Sequence, residues 1–218
     1  MMDYMEFYHV LNRGVEKRNV VLDDHDRLRF LHDLFVFNDT KPTLHYKLPD
    51  RHEENRRRTL LVRIHAFCLM PNHYHLLLSP VIENGIPLFM KKLSMGYAKY
   101  FNERYTRSGA LWQGKYKRVL IARDAHFIYI PYYIHLNPLD LAYPEWRTGN
   151  VRNTSKALEY LRTYRWSSHL DYDGIRNFPS ISNREFLSPL LGTKAAYEKE
   201  IARIIGNPEL TEQSLEFE

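Results

Sequence analysis

Two apolar, strand-like runs separated by only a Pro-Asn pair constrain this chain more than any other feature. Leu60 to Met70 (LLVRIHAFCLM) and His73 to Ser79 (HYHLLLS) are strand candidates, and Pro71-Asn72 between them is turn chemistry. The pair is expected to close as an antiparallel hairpin. Glu6 to Arg13 (EFYHVLNR) alternates and is rich in aromatic and β-branched residues, which predicts a third strand closed by Asn12-Arg13-Gly14. Tyr116 to Ala122 (YKRVLIA) reads as the fourth.

Helices are expected between these strands. Asp23 or Asp24 can cap one running to about Asn38, with Leu28, Leu31, Leu34 and Phe35 as its apolar stripe. Pro87 to about Tyr105 carries Leu88, Phe89, Leu93, Tyr97, Tyr100 and Phe101 and is broken by Arg107-Ser108-Gly109. Asp124 can cap a helix from Ala125 to about Leu136. Pro131 inside it either bends the helix or marks its first turn, which would start it late, near Ile130. The order β-α-β-β-α-β defines an α+β fold of ferredoxin-like type. Residues 41–59 are polar, hold two prolines and Arg56-Arg57-Arg58, and read as an exposed insertion.

The pattern weakens beyond Ala142. Trp166-Ser167-Ser168 opens an irregular stretch, followed by a short helix over Asn183 to Leu191 and a longer one over Lys194 to Ile205. Fraying is expected from Pro208. The chain thus divides into a core, 1–143, and a helical C-terminal extension, 144–218, packed on it. With 44% hydrophobic residues it can bury a sizeable core. Its one cysteine, Cys68, excludes an intrachain disulfide framework and a CxxC zinc site, and reads as a buried thiol. The start lacks an apolar signal-peptide region, and no stretch approaches the roughly 18 apolar residues of a membrane span. A cytoplasmic protein is expected, with no membrane partner.

Two motifs could carry chemistry. In a strand, residues two apart share a face, so His73 and His75 point one way and Tyr74 the other. Two imidazoles so placed can hold one divalent cation, although with 11 histidines either ring could instead be a core residue. The second motif is Tyr133-Ile134-His135-Leu136-Asn137-Pro138. Tyr133 and Asn137 share a helix face, while His135 lies about 200° round from Tyr133. Among 16 tyrosines most serve packing, and spacing alone leaves Tyr129 and Tyr132 as rivals of Tyr133.

The runs MPNHYHLLL, ALWQGKYKRVLIARD and YIHLNPLDLAY, in that order, resemble the single-tyrosine HUH transposases, and within them the REP-associated tyrosine transposase branch. HVLNRGVEKRNVVLDDHDRLRFL, SMGYAKYFNERYTRSG and, more faintly, Trp166-Ser167-Ser168 add to the likeness. The resemblance implies a ferredoxin-like core acting on single-stranded DNA with hairpins, through a 5′-phosphotyrosine and a released 3′-OH. It implies His73 and His75 as metal ligands, Asn137 as the residue completing the metal site, and Tyr133 as the nucleophile. Imidazole ligands favour zinc by softness, whereas an open site with an amide oxygen suits Mg²⁺ or Mn²⁺, and the resemblance favours the latter pair. Tyrosine suits strand transfer because covalent capture keeps the phosphodiester energy for rejoining.

A formal charge of +5 permits a polyanionic partner. Candidate DNA contacts are Arg13, Lys91, Lys92, Lys99, Arg104, Lys115, Lys117 and Arg118, with Trp112 among the aromatics able to stack unpaired bases. Arg56-Arg57-Arg58 either grips a hairpin stem or is solvated loop. Two other functions fit parts of the pattern: a ferredoxin-like nucleic-acid-binding module without catalysis, and a metal-dependent phosphodiesterase using water as nucleophile. The first has no need of His73, His75, Tyr133 and Asn137 together; the second would tolerate Tyr133→Phe. A monomer and a homodimer that exchanges the tyrosine helix are both compatible with the resemblance.

Overall fold

The computed structural model describes residues 6–41 and 58–211. Most of the 41–59 insertion, including Arg56 and Arg57, lies outside them. Four strands, β1 (Tyr8–Arg13), β2 (Val62–Leu69), β3 (His73–Pro80) and β4 (Lys117–Leu120), form one sheet in the order β2-β3-β1-β4. Every neighbouring pair is antiparallel. Helix α1 (Asp24–Val36) joins β1 to β2, and α2 (Gly85–Arg104) joins β3 to β4. This is the ferredoxin-like βαββαβ arrangement in an α+β fold.

Strand alternation sorts the sheet's two faces. Val10, Tyr74, Leu76 and Leu78 pack with Phe30, Leu31 and Leu34 of α1 and Phe89, Leu93 and Tyr97 of α2. Leu28 and Leu88, expected in those apolar stripes, are 48% and 45% exposed. The buried stripe of α1 centres instead on Phe30, Leu31 and Leu34, which leaves Leu28 at its edge.

The opposite face, carrying Phe7, Cys68 and Leu77, is covered by α3 (Asp124–Leu136) through Ile130, Tyr133 and Ile134. Helix α3 starts at Asp124 and runs through Pro131, so the proline neither delays nor ends it. An interior proline costs about 3 kcal/mol. The apolar residues buried along α3 offset that cost, and Cys68 is the buried thiol expected of it.

Residues beyond α3 extend the same core. Two 3-10 turns, Asn137–Leu141 and Pro144–Thr148, lead into α4 (Thr154–Thr163). Asn153 caps α4 by accepting from Lys156 N, and its buried residues are Ala157 and Leu161. That stripe is too narrow to stand out in the sequence. Leu161 shares its core with Tyr197 and Ile201 of α7 (Lys194–Ile205), the helix expected there. Between them come α5 (His169–Tyr172) and α6 (Leu187–Leu191). The helix expected from Asn183 forms only from Leu187, because Asn183 N donates to Ile64 O at 2.7 Å and holds its segment against β2. The Trp166-Ser167-Ser168 stretch is likewise pinned to β2, through Leu69 N to Trp166 O and Ser168 N to Phe67 O, both 2.9 Å. It thereby occupies backbone groups on an otherwise open sheet edge. Pro208–Thr211 forms one further short turn, α8, where fraying was expected. No described helix is long and apolar enough to cross a membrane.

Candidate active site

The site begins with the pairing of the two central strands. In the β1–β3 ladder Leu11 faces His75 and Arg13 faces His73. His73 and His75, two apart on β3, project to the α3 side with ring centroids 4.9 Å apart and nearly perpendicular. Both are buried, at 9% and 3% exposure. His9, two residues before Leu11 on β1, joins them: its Nε2 lies 2.9 Å from His75 Nδ1. The two rings are stacked with centroids 5.1 Å apart.

These bonds decide which nitrogens face the cavity. Asn72 Oδ1 lies 2.6 Å from His73 Nδ1, and an amide oxygen can only accept. His73 therefore carries its proton on Nδ1 and presents a lone pair at Nε2. His75 likewise has Nδ1 engaged by His9, which leaves Nε2 for a ligand once Nδ1 donates. Burial lowers His73 to about 4, with Arg13 and Arg147 adding to the effect and Asp140 opposing it. Burial lowers His9 to about 3 and holds His75 well below the usual imidazole value, His73 and His9 contributing. All three rings are neutral at pH 7, the state in which imidazole binds metal.

Helix α3 brings Tyr133 to the pair. Its ring meets His75 edge to face, at 5.5 Å between centroids and 90° between planes, and lies 5.9 Å from His9. Tyr133 is fully buried at its place in the cavity wall. One turn on, Asn137 donates through Nδ2 to Tyr133 O at 2.8 Å. The rival tyrosines are directed elsewhere: Tyr132 stacks on Tyr197 at 5.6 Å, and Tyr129 does not line the cavity. His135 points away as its helical angle requires, placing Nε2 2.7 Å from Ser168 Oγ and Nδ1 2.7 Å from Tyr197 Oη.

Among the described residues no three His, Cys, Asp or Glu side chains are grouped to hold a metal. The donor set on offer is two neutral imidazoles plus the Asn137 amide oxygen. That set suits an open site for a divalent cation that keeps further positions for water or substrate.

A cavity of about 390 Å³ opens over these groups, lined by His73, His75, Tyr133, Asp140 and Arg147, with Arg13, Lys115 and Lys117 at its margin. A second, more open cavity of about 530 Å³ lies between α2 and the segment leading into β4, with Lys91, Lys115 and Arg118 in its wall. Lys115 and Gly114 border both. The structure therefore groups Arg13, Lys91, Lys115, Lys117 and Arg118. It engages the other candidate contacts elsewhere. Lys92 Nζ donates to the carbonyls of Asp39 and Lys41. Lys99 pairs with Glu103 at 3.7 Å, and Arg104 with Asp23 and Asp26 at 2.6 Å. Trp112 is 8% exposed, donates to Ser94 O and packs edge-on against Tyr74 at 5.3 Å, as a core residue does. Arg58, the described part of its basic triplet, stacks over Phe35 and donates to Phe35 O at 2.6 Å.

Sequence reasoning missed three residues here: His9, Asp140 and Arg147. The signal for His9 was present, since it shares a β1 face with Leu11 and Arg13. Asp140 and Arg147 lie in the two 3-10 turns, where no residue period points inward.

Comparison with known proteins agrees in part. No curated protein matches the sequence. A solved structure described as "Structure of the REP associates tyrosine transposase bound to a REP hairpin" aligns at 13% identity and a TM-score of 0.38, covering 64% of this chain and 69% of that one. That likeness is too distant to carry fold or function. Residues 39–137 match the family described as "Transposase IS200 like". The matching span contains His73, His75 and Tyr133 and ends on Asn137.

Proposed function

We propose that this protein cleaves and rejoins single-stranded DNA carrying a hairpin, with Tyr133 attacking a backbone phosphate to leave a 5′-phosphotyrosine and a free 3′-OH. One observation carries the reading: Tyr133 stands edge-on to His75, 5.5 Å away, in the cavity that His73 also lines. A binding module has no use for a tyrosine buried against two neutral imidazoles. The family match supports the reaction class, and the resemblance in the three ordered runs supports the hairpin substrate.

His73 and His75 through Nε2, with Asn137 through its amide oxygen, would hold Mg²⁺ or Mn²⁺. When bound, that ion supplies positive charge to a non-bridging oxygen of the phosphate. The remaining work falls to side chains of the chain itself. A phenol with a pKa near 10 is a weak nucleophile at neutral pH, so its placement matters more than its basicity. Packing against His75, His9 and Trp146 sets the direction of the ring. Arg13, Lys115 and Lys117 at the cavity margin offset phosphate charge, and Lys91 and Arg118 extend the basic surface towards α2. Tyr133 meets His75 of the same chain, which supports a tyrosine that acts in its own site.

The test incubates the protein with labelled hairpin DNA from the flanks of its own gene, with Mn²⁺ or Mg²⁺, beside Tyr133→Phe on a denaturing gel. A metal-dependent covalent protein–DNA band that Tyr133→Phe abolishes is expected. Cleavage that survives the substitution would point to water, or to Tyr129 or Tyr132, as nucleophile. Binding without cleavage would favour a binding module.

A further inference from the structure

One charged pair in the site is accounted for by neither the histidine nor the tyrosine motif. Arg147 grips Asp140 with two prongs, Nε to Oδ1 at 2.9 Å and Nη2 to Oδ2 at 2.7 Å. Trp146 Nε1 donates to the same Oδ1 at 2.7 Å, and the guanidinium lies 4.6 Å from a Trp146 ring centroid. The arginine and aspartate side chains are 19% and 28% exposed, so the pair is only partly open to solvent. Burial opposes the charge on Arg147, but Asp140 and Tyr133 hold its pKa above the ordinary guanidinium value. The cation is thus permanent and its orientation is fixed.

Its aim is the informative part. Nη1 lies 3.5 Å from the Tyr133 hydroxyl, and Nη2 lies 3.3 Å from Asn137 Oδ1. The guanidinium carbon is 5.4 Å from the Tyr133 ring centroid. Tyr133, Asp140, Arg147, His73 and His75 all line one cavity. A pair serving stability alone would satisfy Asp140 without turning a nitrogen towards the phenol oxygen.

We propose that Arg147 is a catalytic residue of strand cleavage: it donates to the attacking oxygen of Tyr133 and to a non-bridging oxygen of the phosphate under attack, and Asp140 is its positioning residue. The proposal rests on Tyr133 being the nucleophile. In this step a lone pair on the Tyr133 oxygen forms the bond to phosphorus, and the bond from phosphorus to the 3′ oxygen breaks with its electron pair leaving on that oxygen. The phenol proton passes to water and the 3′ oxygen takes a proton from water. The guanidinium keeps its own protons throughout and offsets the negative charge carried by the phosphoryl group in transit. Arginine suits the position because two nitrogens can hold Asp140 while the third faces the reacting atoms, which lysine cannot reproduce.

The experiment measures single-turnover formation of the covalent adduct on hairpin DNA with Mn²⁺, for the parent protein and for Arg147→Gln, Arg147→Lys and Arg147→Gly. Hairpin affinity and urea midpoint are measured in parallel, and Arg147→Gly is also assayed with added ethylguanidinium. Arg147→Gln is expected to slow adduct formation by about 10²–10³-fold, as loss of a transition-state donor does. Hairpin affinity should stay within about threefold, Arg147→Lys should be intermediate, and ethylguanidinium should restore at least about tenfold to Arg147→Gly. A folded Arg147→Gln within about threefold of the parent rate would overturn the proposal. So would a slower rate matched by an equal loss of affinity and unmoved by ethylguanidinium. Absence of any adduct from the parent protein is a different failure, since it removes the nucleophile assignment itself and the role of Arg147 with it.

Discussion

His9 on β1 holds His75 on β3 through a 2.9 Å contact between Nε2 and Nδ1, buried at the centre of the sheet. A ring fixed at Nδ1 has its Nε2 direction set before any ligand arrives. Loss of such an outer partner typically costs 10–100-fold in metal affinity, roughly, because ring direction and tautomer are no longer set. His9→Leu should therefore weaken Mn²⁺ binding by about that factor. His9→Gln, whose amide oxygen can accept from Nδ1, should recover most of the loss. Mn²⁺ titration by calorimetry or electron paramagnetic resonance checks this on the DNA-free protein. Equal affinities for His9→Leu and the parent would remove His75 from the ligand set or His9 from its support.

The fate of His9 shows what could be read in advance. The alternation of β1, the apolar runs of β2 and β3 and the Pro-Asn turn between them gave the strands in chain order, and the two-residue strand period gave the shared face of His73 and His75. Helical angle alone correctly turned His135 away from Tyr133. The meeting of Tyr133 with His75 came only from family resemblance, since no local period links α3 to β3. Asp140 and Arg147 were illegible because short 3-10 turns place them, and such turns have no apolar stripe to orient them. Leu28 and Leu88 misled for a related reason: a stripe has edges, and apolar residues there stay exposed.

Tyr197 joins two helices to the loop that covers β2. Its hydroxyl lies 2.7 Å from His135 Nδ1 and 3.0 Å from His169 Nδ1, while His135 Nε2 meets Ser168 Oγ at 2.7 Å. All four residues are buried. Tyr197→Phe keeps the ring but leaves two buried imidazole nitrogens without this hydroxyl. The expected loss is about 1–3 kcal/mol, read from the urea midpoint at pH 7.5. A loss below about 0.5 kcal/mol would mean that water or a rotated ring replaces the bond.

Acid should unfold this protein early. Burial lowers His169 to about 4 against an ordinary 6.5, in a setting that includes Asp173, Arg162, Lys194, Tyr197 and His135. His65 is likewise lowered to about 4 by burial, with Arg63 adding to the effect. A group depressed in the folded state binds its proton more readily once unfolded, so stability rises with pH between the two values. The contribution is complete above about pH 6.5 and is lost as pH falls towards 4. Moving from pH 7.5 to 5 should cost on the order of 1–2 kcal/mol for each such histidine. Urea midpoints across that range, for the parent, His169→Gln and His65→Gln, check the slope. Each replacement should flatten it, and an unchanged slope in both would place the acid sensitivity elsewhere.

Lys115 and Lys117 separate a strand path through the cavity from one along the outer face of α2. Both line the cavity that contains Tyr133, whereas Lys99 pairs with Glu103 on α2 and borders neither described basic cavity. Each phosphate contact adds about 0.7–0.9 to the slope of log affinity against log salt, because neutralising a phosphate releases its condensed counterion. Lys115→Gln and Lys117→Gln should each reduce the magnitude of that slope for hairpin binding by about this amount. Lys99→Gln should leave it unchanged, and so should Arg104→Gln where the fold survives loss of its ion pairs with Asp23 and Asp26. Fluorescence anisotropy in calcium, across a salt series, measures the slopes for all four variants. If Lys99→Gln lowers the slope as much as Lys115→Gln, the strand runs along α2 and the cavity receives only its scissile end. If Lys115→Gln and Lys117→Gln change nothing while Lys99→Gln does, the basic margin of the cavity plays no part in holding DNA.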